Sequence, residues 1–212
     1  MEAVKYKVLN TSGKEVGSID LDAEVFGAKI QANVVHETVR WQRSKARSGN
    51  HSCLSKGMMK GGNRKPFKQK HTGRARAGSN TSPLWVGGAK AHGPHPHSHE
   101  FRLSKRTRRQ ALASVLSDKV KKNTLVILDD LKLGNGKTKE MVAVLKNLGL
   151  SAKKLTVVMP VKDAGVWRGA GNIPNVMTLP VNGVNVYDLL KRTYLVCTKE
   201  GVRAIEQRFK GE

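Results

Sequence analysis

The chain is poor in the materials of a freestanding enzyme. Aromatic residues make up 5% of its 212 residues and apolar residues 38%, against about 45–50% apolar in an ordinary globular domain. There are two cysteines, Cys53 and Cys197, far apart and without a CxxC or CxH neighbourhood. A disulfide scaffold is therefore excluded, and free thiols in a reducing cytosol are expected. The longest apolar runs are four or five residues, such as Leu125–Leu128, where a membrane span needs about 20. The opening stretch MEAVKYKVLNTSGKEVGSIDL alternates apolar and polar residues and carries early acids, unlike a secretion signal. Glycine is plentiful, at 21 residues, but shows no triplet period, which removes collagen. The scarcest property is negative charge. Lys and Arg number 39 against 16 Asp and Glu, for a net charge of +23. Such a chain repels itself unless a polyanion surrounds it. Nucleic acid is the leading partner and an anionic membrane the runner-up.

The charge is unevenly placed. Residues 1–39 have a net charge of −2, residues 40–109 of +17 and residues 110–212 of +8. The middle third also lacks a core. From Ser44 to Glu100 the large apolar residues are Leu54, Met58, Met59, Phe67, Leu84, Trp85 and Val86, with glycines throughout and no period of 2 or 3.6. Such a stretch cannot bury enough surface to offset the entropy of ordering it. Loops beyond about 12–15 residues are usually functional or disordered. Flexible linkers are rich in Gly and Ser but lack this charge density. The expectation is an internal probe, residues 44–100, that orders inside a partner. Doubled back, it could reach roughly 60–90 Å at about 3.3 Å per residue.

The flanking segments, 1–43 and 101–212, form the expected globular part. Two alternating strands, Ala3–Leu9 and Glu15–Asp20, meet at a turn at Ser12-Gly13. A helix near Gln31–Lys45 has Val35, Val39 and Gln42 on one face. Ser104 caps the next helix, whose stripe is Leu112, Val115, Leu116 and Val120. Strands LVILD (125–129), LTVVM (155–159), VMTL (176–179) and YLVC (194–197) follow. Between and after them lie helices capped by Thr138 or placed near 163–170, 185–191 and 199–209. Continuous apolar strands read as buried and parallel. The fold class expected is α/β: a three-layer Rossmann-like domain with a mostly parallel four-stranded sheet, plus the long basic loop.

Enzymatic motifs fail their tests. Gly136-Lys137-Thr138 needs Gly at 131 to complete a P-loop, and Leu131 stands there. Gly169-Ala170-Gly171 needs a third glycine at 174, where Pro174 stands. Asp129-Asp130 reads as a strand-end turn and helix cap. No GxSxG or HExxH occurs. No catalysis, cofactor or small-molecule substrate is expected. His92, His95, His97 and His99 form a run in which an extended chain puts 95, 97 and 99 on one face. That face could take a transition metal if a second segment supplied a ligand. The preferred reading is imidazoles and prolines stiffening a strand that runs along phosphates, with no metal.

The informative stretch is GGNRKPFKQKHTGRARAGSNTSPLWVGG, residues 61–88. Arg64, Lys65, Lys68, Lys70, Arg74 and Arg76 are spaced by small or turn residues, so an extended chain presents charge in all directions. Arg offers a planar fork to phosphate oxygens and Lys an adaptable point charge. Glycines let the backbone approach a partner closely. Phe67 and Trp85, each beside a proline turn, can stack on unpaired bases. DNA-groove readers use basic helices; an irregular Gly-rich basic stretch suits folded RNA. Lys105, Arg106, Arg108 and Arg109 open a helix, where the helix dipole disfavours cations, and this points to nearby phosphates.

At these residues the chain resembles the bacterial large-subunit ribosomal protein four family. The resemblance rests on GGNRKPFKQKHTGRARAGS-x-x-SPLW-x-GG and the basic helix KRTRRQALASVLSDKV. It runs on through LVILDDL, KTKEM, RGAGNIPNV and NVYDLL. It implies an rRNA-binding constituent of the large subunit, ribosome-bound in the cytoplasm, acting early in assembly. Its loop would thread into rRNA and line the nascent-polypeptide exit tunnel, beside neighbouring large-subunit proteins. Carried over, Gly61, Gly62, Asn63, Arg64, Lys65, Pro66 and Phe67 fall at the tunnel-lining tip, with Lys68, Lys70, Arg74 and Arg76 on the clamping return. The wider rRNA-binding set expected adds Arg43, Lys45, Arg47, Lys56, Lys60, Trp85, Lys90, Lys105, Arg106, Arg108 and Arg109. The chain departs from the family pattern at Phe67 (usually Trp), at His71 (usually Gly), at Met58 and Met59, and in the PHPHSH run, which replaces a more basic one.

Overall fold

In the computed structural model, residues 4–62 and 64–211 are described; Ala3 and Asn63 lie outside them. The described residues fall into two units. One comprises Met1–Gln42 with Arg102–Glu212, the other Arg43–Phe101.

The first unit is α/β. Strands β1 (Val4–Leu9) and β2 (Glu15–Leu21) form a hairpin closed where Asn10 N donates to Lys14 O at 2.9 Å. Strands β3 (Leu125–Leu128), β4 (Leu155–Met159), β5 (Val176–Pro180) and β6 (Tyr194–Thr198) follow. All six make one sheet in the order β2-β1-β3-β6-β4-β5. The expected four-stranded sheet is thus corrected to a mixed six-stranded one. β1 pairs parallel to β3 through Val8↔Ile127 and Leu9↔Leu128, and β2 closes the edge antiparallel. Alternation in β1 and β2 reveals a hairpin, but a two-residue pairing across more than 100 positions leaves no local trace. The central strand, β6, is flanked by β3 and β4, both parallel to it. Each residue of β4 is buried, as its unbroken apolar run requires.

Helices cover both faces. Leu125 and Ile127 of β3 and Leu195 and Cys197 of β6 pack with α1 (Ala23–Phe26), α3 (Lys105–Lys121), α6 (Val186–Lys191) and α7 (Lys199–Lys210). Leu128, Val196 and the odd-numbered residues of β4 pack with α4 (Thr138–Asn147) and α5 (Ala164–Gly171). This is the side alternation of a pleated strand turned into two cores. The stripe of α3 lies inward as its spacing dictates, and Ser104 Oγ caps it by accepting from Thr107 N at 3.1 Å.

Several local expectations need correction. In α2 (Ala32–Lys45) Val35 and Val39 pack against the core as their spacing implies, but the fully buried residue is Thr38, whose hydroxyl donates to Val34 O. Gln42 serves a polar role, accepting from Tyr187 N at 3.0 Å. Lys137, not Thr138, is the N-cap of α4, and it makes no side-chain cap bond. Asp130 accepts from Leu131 N at 2.7 Å and pairs with Lys132 at 2.8 Å. That is the expected strand-end turn, but the next helix begins at Thr138, so Asp130 caps none. The buried pair Val25 and Phe26 forms the short α1, which had no sequence signal beyond Asp22 as its cap.

Candidate nucleic-acid interface

The second unit is held together without strands, among the described residues. Two limbs of chain run past each other. His97 N donates to Gly49 O at 3.1 Å, Cys53 N to Pro94 O at 3.1 Å and Lys90 N to Leu54 O at 3.2 Å. Farther along, Gly62 approaches Ser79 and Thr81 so closely that a Cβ on it would stand 2.7 Å from Ser79 Oγ. These contacts make a doubled-back loop whose outer excursion lies between Gly62 and Ser79. That excursion carries Arg64, Lys65, Lys68, Lys70, Arg74 and Arg76, all exposed. Gly61 and Gly62 stand at its neck, Pro66 is exposed, and Phe67 is half-buried.

The other cations of this unit, Arg43, Lys45, Arg47, Lys56, Lys60 and Lys90, are exposed too. Lys45 reaches the carboxylate of Glu100 at 3.4 Å, the one acid of the unit. Lys65 Nζ meets Gln69 Oε1. Most of this charge has no acid to answer it, which is the electrostatic footprint of a nucleic-acid surface.

Two of the histidines expected on one face, His97 and His99, stand together. His97 and His99 have ring centroids 4.5 Å apart, and His51 of the opposite limb joins them at 5.8 and 6.1 Å. The rings thus cross-link the limbs, while His95 contributes its carbonyl, 3.0 Å from His97 Nδ1. Partial desolvation, then the charges of Arg47, His97 and His51, hold His99 below the usual histidine range. Among the described residues no group of three or more His, Cys, Asp or Glu is placed to hold a metal ion.

In the first unit, the N-terminal turns of α3 bring three expected cations together. Lys105, Arg108 and Arg109 line a cavity of about 260 Å³ with Leu112, Phe209 and Arg208. Arg106 is exposed outside it. The Arg108 guanidinium lies 4.8 Å over the Trp41 ring, and its buried Nε has no hydrogen-bond partner. Arg208 is tethered by bonds from one guanidinium nitrogen to Val181 O at 2.7 Å and Val184 O at 3.2 Å. Sequence reasoning missed Arg208 because it sits on α7, whose stripe of Val202, Ile205 and Phe209 explains that helix without it. Only the tertiary packing of α7 brings it to α3. Four cations around one hollow can hold a phosphate by charge-assisted hydrogen bonds.

Among the described residues no helix is long and apolar enough to cross a membrane.

Comparison with known proteins agrees with this picture. The sequence profile of the ribosomal protein L4/L1 family matches residues 19–208. A large ribosomal subunit protein uL4 from Alkaliphilus oremlandii is 44% identical over 203 residues, covering 96% of this chain and 98% of its own. The uL4 proteins of Halothermothrix orenii and Desulforamulus reducens are 43% and 45% identical, covering 93% and 96% of this chain and 95% and 98% of their own. With the fold and the basic loop both accounted for, the chain belongs to the ribosomal protein L4/L1 family.

Proposed function

We infer that the chain is a structural constituent of the large ribosomal subunit, binding rRNA early in assembly and working on the ribosome in the cytoplasm. The observation that carries the reading is the placement of charge: exposed cations concentrated on a Gly-rich unit without regular strands. Such a unit gains little from its own apolar burial and most from phosphates packed around it. Its doubled-back limbs carry exposed cations along their length. The segment from Gly61 to Phe67 lines the polypeptide exit tunnel and faces the nascent chain, while Lys68, Lys70, Arg74 and Arg76 clamp rRNA. Lys105, Arg108, Arg109 and Arg208 hold a backbone phosphate at the α3 cavity. Neighbouring large-subunit proteins complete its surroundings. The role is structural and non-catalytic, with no cofactor.

The test is sedimentation. The full-length chain should pellet with large subunits and stay there through a moderate salt wash. Recovery mainly as a free monomer would sink the reading.

A further inference from the structure

The hollow at the start of α3 is larger than one phosphate. Its volume is about 260 Å³, the share of roughly nine water molecules at about 30 Å³ each; one phosphorus and its oxygens fill only part of that. The lining is also of two kinds. Lys105, Arg108, Arg109 and Arg208 are cations, while Leu112 and Phe209 are apolar, and no acid stands among them. The cations account for an anion; the apolar pair has no use for one. Phe209 is only partly buried where it packs on the core. It also lines a second cavity of about 500 Å³, which shares Arg109 with the first and runs on past Gln110 and Ala113. In that second space the cations Arg106 and Lys210 are matched by the acids Asp22 and Glu24, and Lys210 pairs with Asp22 at 3.2 Å. The Phe209 ring thus stands between a hollow that attracts an anion and a space whose charges largely cancel.

The cationic side is built in advance. Arg108 lies 4.8 Å over the Trp41 ring, and Arg208 is tied to Val181 O and Val184 O through a single guanidinium nitrogen. Side chains already held in this way lose little freedom when a ligand arrives. One anion joined to one flat neutral body is the chemistry of a nucleotide. In a duplex the bases are stacked inside, and the backbone alone could reach the hollow. An unpaired nucleotide presents phosphate and base together, and unstacked bases are held on aromatic side chains. We propose that this cavity takes one unpaired nucleotide of RNA, with its phosphate among the four cations and its base against the ring of Phe209. With the ribosomal reading above as its basis, the site makes α3 and α7 a reader of a single-stranded element and not of a duplex backbone.

The test has a solution arm and a subunit arm. In solution, the full-length chain is labelled with 4-fluorophenylalanine, and Phe209→Leu identifies the Phe209 resonance. Adenosine 5′-monophosphate should shift that resonance and bind roughly tenfold more tightly than ribose 5-phosphate, the scale of one stacked base. By calorimetry Phe209→Tyr, which keeps the ring, should preserve this preference, and Phe209→Leu should abolish it while still binding ribose 5-phosphate. An unmoved Phe209 resonance, equal affinities for the two ligands, or a preference that survives Phe209→Leu overturns the proposal and leaves the ribosomal reading intact. In the second arm, large subunits carry azidophenylalanine at position 209, which also keeps the ring. Irradiation and reverse transcription should stop at one rRNA nucleotide that chemical probing of the rRNA shows to be unpaired. Stops at paired nucleotides, adducts with protein only, or no adduct overturn the proposal; a chain absent from the subunits overturns the ribosomal reading as well.

Discussion

Replacing Lys119 by methionine asks whether the C-terminal end of α3 is held in place by one buried ammonium group. Lys119 lies in the last turn of the helix and is 7% exposed. Its Nζ donates to Arg192 O and Thr193 O, both at 2.7 Å, tying α3 to the residues just before β6. Hydrogen bonds to a charged group contribute about 1.5–3 kcal/mol each. Burial of the ammonium offsets part of this, and replacing a buried charge with an apolar side chain is sometimes stabilising. Two short bonds to fixed carbonyls outweigh that offset, for a net loss of about 2 kcal/mol on Lys119→Met. In a chain of this size the loss lowers Tm by about 4–8 °C.

The pH dependence gives the prediction a second arm. Burial pushes the Lys119 ammonium below the usual lysine range; nearby Lys122 pushes the same way and Asp118 opposes. A lysine whose pKa is lower in the folded state costs stability while it is charged. That cost is full below the folded pKa and fades as pH rises toward the ordinary lysine value of about 10.4. The advantage of the wild-type chain over Lys119→Met should therefore widen from neutral to alkaline pH. Urea unfolding of both full-length chains, followed by circular dichroism at several pH values, measures it. A loss under about 0.5 kcal/mol at neutral pH, or an advantage that narrows as pH rises, refutes the reasoning.

Thiol labelling of the native chain should modify Cys53 and spare Cys197, which is buried in β6 with its thiol pushed up to about 12; equal labelling rates would contradict that burial. Arg74→Gln with Arg76→Gln should weaken rRNA binding and reduce the slope of log affinity against log salt by about 1.4–1.8, two phosphate contacts' worth; an unchanged slope removes them from the clamp. Arg64→Gln with Lys65→Gln should perturb the tunnel wall, read by probing tunnel nucleotides, more than subunit assembly, read by sedimentation; equal effects on both refute the division. Gly49→Ala puts a Cβ at φ 57 and 2.1 Å from His97 O. It should part the limbs and weaken rRNA binding while leaving the unfolding midpoint of the α/β unit in place; intact binding would show the limb contact to be dispensable.

What the sequence made legible was whatever its local pattern encodes. The run LTVVM could only be a buried strand, and Leu112, Val115 and Leu116 could only face one side of a helix. The same holds for a third of the chain with cations and no core. Contacts made by distant segments were not legible. Val8 finds Ile127, Arg208 finds the α3 cavity and His51 finds His97 and His99 through folding of the whole chain. Thr38 misled for another reason: a threonine that bonds the carbonyl four residues back hides its polarity within the helix and can be buried.

The loop also shows why glycine and charge recur together in it. Backbone at positive φ lets a chain fold back on itself without strands, and glycine adopts it freely. Gly49, Gly61, Gly62, Gly73 and Gly87 all do so. His71 and His92 adopt it as well, at φ 61 and 51, where a side chain is strained by about 1–2 kcal/mol. At His71 the turn holds a side chain in a region that glycine adopts freely. Such strain persists only when surroundings over-determine the turn. An exposed histidine with few contacts has little of its own to impose it. If the outer excursion packs against rRNA as proposed, the phosphates around it supply that constraint.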